Sequence, residues 1–115
     1  MPKLQPKEIW KVALPDTQAH EQMGDRPAIV IAVHPETGTT MVTPLTKNQD
    51  SIRFPYSYLV KKSNANGLIL DSVALIFQMR CLGNSPSRFL YKMGTNEEAY
   101  LKQIKTLIKD YLTIV

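Results

Sequence analysis

Apolar and polar residues alternate from Glu8 to Leu14, which puts Trp10, Val12 and Leu14 on one face and predicts a first strand. Pro15 and Asp16 end it. A polar loop from Pro15 to Arg26 follows, long enough for a small domain to suggest a functional segment. Pro27 to Val33 is apolar throughout, so this second strand is expected to be covered on both faces. His34-Pro35-Glu36-Thr37-Gly38 reads as a turn and Thr39 to Thr46 as a third strand, where Pro44 calls for an edge or a bulge. Lys47 to Ser51 is a polar loop. Phe54, Tyr56 and Tyr58 fall in step within a fourth strand, Arg53 to Val60. Asn64-Ala65-Asn66-Gly67 carries a hairpin signal. Gly67 to Ser72 and Val73 to Met79 predict two short strands or one bent strand, and Arg88 to Lys92 a last short one.

The pattern then changes period. Tyr100, Ile104, Leu107, Ile108, Tyr111, Leu112 and Val115 recur at spacings of three and four, the signature of an amphipathic helix over about 96–113. Thr95 and Glu98 have the spacing of a capping box. Many short strands with frequent turns, closed by one helix, predict a mainly β domain: an antiparallel barrel or half-barrel with a C-terminal helix. The 115 residues suffice for one domain with its own core, the barrel over about 7–92.

Charge adds a direction. The net charge of +4 comes from 14 basic and 10 acidic residues. Residues 1–36 and 97–110 are nearly balanced. The surplus lies in Lys47, Arg53, Lys61 and Lys62 against Asp50, and in Arg80, Arg88 and Lys92. Such blocks suggest one basic face suited to nucleic acid, or else a merely solvated basic surface. A single cysteine, Cys81, rules out an intrachain disulfide and fits a cytoplasmic setting. The N-terminus lacks the apolar core of a signal peptide, and no apolar run is long enough to span a membrane. Only His20, His34 and Cys81 could supply nitrogen or sulfur to a metal, and they are not closely spaced, so no zinc site is expected. No glycine-rich phosphate loop is present. No cofactor is expected, and any catalysis would be done by side chains.

The loop His20-Glu21-Gln22-Met23-Gly24-Asp25-Arg26-Pro27 runs directly into Ala28-Ile29-Val30-Ile31. Polar groups held at the mouth of a core are where chemistry becomes possible, although Glu21 and Arg26 could equally form a plain ion pair. Together with Glu8-Ile9-Trp10, Val42-Thr43-Pro44-Leu45-Thr46, Asp71-Ser72-Val73-Ala74-Leu75 and Gln78-Met79-Arg80, this order and spacing resembles the MazF/PemK toxins, the endoribonuclease halves of toxin–antitoxin pairs. The resemblance runs from about Lys7 to Arg80. It implies an SH3-like antiparallel β-barrel, a homodimer, and metal-independent, sequence-specific cleavage of single-stranded mRNA. The products would carry a 2′,3′-cyclic phosphate and a 5′-hydroxyl. It also implies an antitoxin partner with a flexible acidic tail.

Carried over by position, Arg26 and Thr46 match the recurrent catalytic positions of that family, and His20 and Glu21 match loop positions that some members use. Lys47, Arg53, Lys61, Gln78 and Arg80 are the candidate RNA-binding residues. Several members place an acid just before the glutamine of the sixth-strand motif; here that position is Phe77, which excludes a carboxylate there. Each candidate has a chemical rationale. A guanidinium binds phosphate oxygens in a bidentate fork. Thr46 offers a hydroxyl donor, or is a strand-end hydroxyl satisfied by the backbone. An imidazole near its unperturbed pKa of about 6.5 carries protons, unless it is exposed and touches only water. Glu21 could orient His20 or accept a proton itself. Two other readings are a barrel that binds RNA without cutting it and a gyrase-poisoning toxin of the CcdB type. The latter relies on a tryptophan near its C-terminus, whereas the only tryptophan here is Trp10.

Overall fold

The computed structural model describes residues 3–14 and 24–113. Among the described residues seven strands form one open antiparallel sheet: β1 (Glu8–Leu14), β2 (Gly24–His34), β3 (Thr39–Thr46), β4 (Ser57–Val60), β5 (Ser72–Leu75), β6 (Arg80–Gly83) and β7 (Phe89–Thr95), followed by helix α1 (Glu98–Leu112). Strand order is β4-β5-β3-β2-β1-β7, with β6 also paired to β3. The sheet is barrel-like but not closed. β1 and β3 have the bounds predicted from the alternation.

β2 is covered on both sides, as its continuous apolar run requires. Ala28 and Val30 join Trp10, Val12, Val42, Leu82 and Phe89 in one core cluster. Ile29 faces the other way, with Ile9, Leu45, Ala74, Ile76 and the helix residues Ile104 and Ile108. Ile31 keeps to the helix side with Ile29; a bulge against β3 between Val30 and Ala32 then shifts the alternation, so Val33 rejoins the first cluster. Pro44 lies inside the sheet rather than at its edge. It faces Ala28 of β2, and on the other side of β3 it falls between the β6 ladder, which ends at Val42, and the β5 ladder, which starts at Leu45. A residue without an N–H is tolerated where no ladder claims one.

Four expectations are corrected. Residues 49–53 form a 3-10 helix (Gln49–Arg53), not a loop running into a strand; the side chain of Asn48 caps it by accepting from Asp50 N at 3.2 Å. The fourth strand therefore starts only at Ser57. Between them Tyr56 takes a left-handed backbone, φ 59°, held by Ile76 N donating to its carbonyl at 2.9 Å and by its hydroxyl donating to Asp110 of α1 at 3.1 Å. Gly67 to Asp71 is loop rather than strand. Of the expected Val73–Met79 strand only the part within β5 forms; a one-turn 3-10 helix, Ile76–Gln78, replaces the rest, and the pattern does not predict β6 beyond it. The capping box does not form: Glu97 is the cap residue, Thr95 pairs with Glu8 in the sheet, and the Glu98 carboxylate meets Lys7 at 2.8 Å.

One buried carboxylate ties the N-terminal segment to this frame. Glu8 Oε1 accepts from Trp10 Nε1 at 2.9 Å and from Gln5 N at 3.0 Å, while Oε2 meets Lys92 of β7 at 3.0 Å. Burial pushes its pKa up, but the three donors outweigh burial and hold it below the ordinary carboxylate value. A lowered folded-state pKa stabilises above the unfolded value, and that contribution is lost as pH falls through the folded one. Glu8→Ala is therefore expected to lose about 1.5–3 kcal/mol at pH 7, the range for bonds to a charged group. The gap from wild type should narrow in urea melts below a pH of about 4.

Candidate functional site

One cleft of about 210 Å³ opens on the sheet, and five parts of the chain converge on it. β1 contributes Lys11, β2 contributes Asp25, Arg26 and Pro27, and the end of β3 contributes Leu45 and Lys47 just beyond it. Leu68, Ile69, Leu70 and Ser72 form another wall, and Met93 of β7 completes it. The ladder explains part of this convergence: Lys11 pairs with Pro27 and Val12 with Arg26. Charged side chains lining the cleft are Lys11, Arg26 and Lys47 against Asp25, so its field is positive and suited to an anion.

The apolar wall is held in place by a polar anchor. Asn66 is fully buried; its Oδ1 accepts from Ser63 N and Leu68 N, each at 3.0 Å. Its Nδ2 donates to the Lys61 carbonyl at 2.8 Å and to Glu97 Oε1 at 3.1 Å. Gly67 follows with φ 72°, packed so closely on the Met93 carbonyl that a Cβ has no room. What reads as a hairpin turn in the sequence is thus a knot docked on β7. It buries Leu68 and leaves Ile69 82% and Leu70 49% exposed at the cleft.

The predicted residues separate into groups. Arg26 and Lys47 line the cleft. Arg26 stands two residues before Ala28 and Thr46 two residues after Pro44, its ladder partner, so both are at the same end of the β2–β3 pairing. Thr46 is buried between the cleft residues Leu45 and Lys47, and its Oγ1 accepts from Asn48 N at 3.2 Å. That bond uses a lone pair and leaves the hydroxyl proton to donate. Lys61 is exposed just past Val60, the partner of cleft-lining Ser72. Arg53, Gln78 and Arg80 lie away from the cleft lining; Arg80 Nη2 donates to Gln78 Oε1 at 3.4 Å. Lys92 is engaged by Glu8, and Arg88 donates to the Ala13 carbonyl at 3.5 Å. His20 and Glu21 lie outside the described residues. Neither Lys11 nor Asp25 is a candidate from sequence: Asp25 directly precedes Arg26, and Lys11 reaches the cleft through its register opposite Pro27. Among the described residues no three His, Cys, Asp or Glu side chains are grouped as a metal site, and no helix is long and apolar enough to cross a membrane.

A family model described as PemK-like, MazF-like toxin of type II toxin–antitoxin system matches residues 5–112. The chain belongs to this family. No curated protein matches its sequence. Among solved structures it is similar to the crystal structure of MazF from Deinococcus radiodurans, with a TM-score of 0.79, 18% identity, and 96% of this chain and 97% of that one covered. A MazE–MazF structure from the same organism superposes with a TM-score of 0.72 at 18% identity, covering 97% of each chain. An endoribonuclease in complex with its cognate antitoxin, from mycobacterial species, gives 0.72 at 14% identity over 98% of each chain. The MazF fold, a mostly antiparallel sheet with one C-terminal helix, is thus the fold of this chain.

Within this PemK/MazF member the cleft wall depends on Asn66. Asn66→Ala leaves the buried Leu68 amide and the part-buried Ser63 amide and Lys61 carbonyl without this partner, and is expected to cost about 1–3 kcal/mol, chiefly from the Leu68 amide. Hydrogen exchange should quicken first at Ser63 and Leu68, before any global loss of protection.

Proposed function

We propose that this toxin is a metal-independent endoribonuclease that cuts single-stranded mRNA, with the cleft around Arg26 as its active site. The observation that carries the reading is the convergence of Lys11, Arg26 and Lys47 on one cleft, next to Thr46, in a chain of this family. Internal cleavage needs the 2′-hydroxyl to attack the adjacent phosphorus, forming the cyclic phosphate as the bond to the 5′-oxygen breaks. The transition state gains negative charge on the phosphoryl oxygens, which preorganised cations stabilise. Arg26 supplies a forked donor for those oxygens. Thr46 adds a hydroxyl, and Lys11 and Lys47 hold the flanking phosphates. The 2′-hydroxyl proton passes to His20 or Glu21, the acid–base groups preceding Arg26 in sequence. The leaving 5′-oxygen takes a proton in turn.

The same cleft supports an antitoxin partner. Exposed Ile69 and Leu70 beside three cations suit a flexible segment that is both acidic and apolar. Such a segment would occupy the cleft and exclude RNA. A homodimer in the cytoplasm completes the reading. The gyrase-poisoning alternative gains no support, because Trp10 is a core residue whose Nε1 is spent on Glu8.

Arg26→Ala is expected to lower the cleavage rate by about 10²–10³-fold, the usual cost of one transition-state donor, while RNA binding weakens much less. Single-turnover cleavage of a labelled RNA separates the two effects, and near-normal cleavage would remove Arg26 from catalysis. Binding should also weaken with salt. Removing Lys11 or Lys47 should shallow the log–log slope by about 0.7 each if both meet phosphates of a single strand.

A further inference from the structure

A second group of rings and cations lies beyond the cleft. Phe54 follows the 3-10 helix Gln49–Arg53 and is 42% exposed. Its ring meets that of Phe77 with 5.8 Å between centroids and 64° between planes. The Arg53 guanidinium stands over the Phe54 ring, 5.0 Å from its centroid. Neither phenylalanine belongs to the core clusters. An edge-to-face partner holds Phe54 in place, so a ligand meeting it immobilises little that is not already ordered.

We propose that Phe54, seated against Phe77 and beneath Arg53, is a stacking platform for an unpaired base of the RNA strand that leaves the cleft. This rests on the RNA-cleaving reading above. A ring with a guanidinium beside it offers a π-face for the base and a cation for its phosphate, the combination that single-strand binders use. Arg80, bonded to the residue after Phe77, supplies a second cation. The platform is continuous with the cleft. Lys47 lines the cleft, Asn48 caps the 3-10 helix, and Gln49 Nε2 donates at 3.3 Å to the Asp71 carbonyl, between cleft residues Leu70 and Ser72. Five residues at a rise of about 2 Å put Phe54 roughly 10 Å from that rim. An acid at position 77 would repel a passing phosphate; the phenylalanine here turns the position toward the base instead.

The test measures binding to a short single-stranded RNA with 2′-O-methyl riboses throughout, which cannot be cleaved, and to the same backbone carrying abasic sugars. Wild type should prefer the base-bearing strand. Phe54→Ala should weaken that complex by about tenfold or more and erase the preference, with the salt slope unchanged, while Phe54→Trp keeps both. Phe77→Leu, which removes the supporting ring without emptying the site, should give a smaller loss in the same direction. If wild type binds RNA and Phe54→Ala binds it equally well, the platform is wrong and the cleft reading stands. If Phe54→Ala alters only self-association or peptide binding, the ledge is a protein interface and the proposal falls. If wild type binds neither strand, the RNA reading fails and takes the platform with it.

Discussion

Ala28, Ile29 and Val30 are fully excluded from water on both faces of β2, and the other elements are arranged by what must cover them. A large side chain gains roughly 1.5–3 kcal/mol on leaving water. The side of Ala28 and Val30 takes residues of β1, β3, β6 and β7; the side of Ile29 takes Ile9 of β1 with residues of β3, β4, β5 and the helix. A strand held this way cannot slide, because a slip of one residue would exchange its two faces. Arg26 is therefore positioned by the burial of the residues after it. The same logic places Lys11 opposite Pro27 and ends β3 beside the cleft.

The strands with strong alternation or continuous apolar runs were legible, since burial decides them. β1 and β3 end where the pattern ends, and α1 follows its three- and four-residue spacing. What was not legible depends on single side chains meeting distant partners. The pairing Phe54, Tyr56, Tyr58 reads as one strand, yet Tyr56 is bent into the left-handed region by bonds to Ile76 and Asp110. Thr95 and Glu98 satisfy the local rule for a cap, but β1 and Lys7 claim them first. Gly67 signals a turn without saying that the turn is wedged on Met93.

The candidate site divides along the same line. Arg26 and Lys47 could be named from sequence and do share a cleft; Asp25 comes with Arg26 as its chain neighbour, and Lys11 enters only through register. The basic blocks do not act as one. Lys92 stabilises the fold through Glu8, Arg88 binds a backbone carbonyl, and Arg53 and Arg80 belong with the aromatic pair rather than with the cleft. Net charge on a small domain is thus a poor guide to where an anion binds until each cation's own partners are known.

In the proposed function, the cations Lys11, Arg26 and Lys47 gathered at one cleft cut RNA without a metal. The most direct measurement is to incubate the purified chain with a long single-stranded RNA in excess chelator and to analyse the new ends. Cleavage is expected at a restricted set of short sequences, leaving 2′,3′-cyclic phosphate and 5′-hydroxyl termini. Intact RNA, cleavage that appears only when a divalent ion is restored, or products ending in a 5′-phosphate would contradict it.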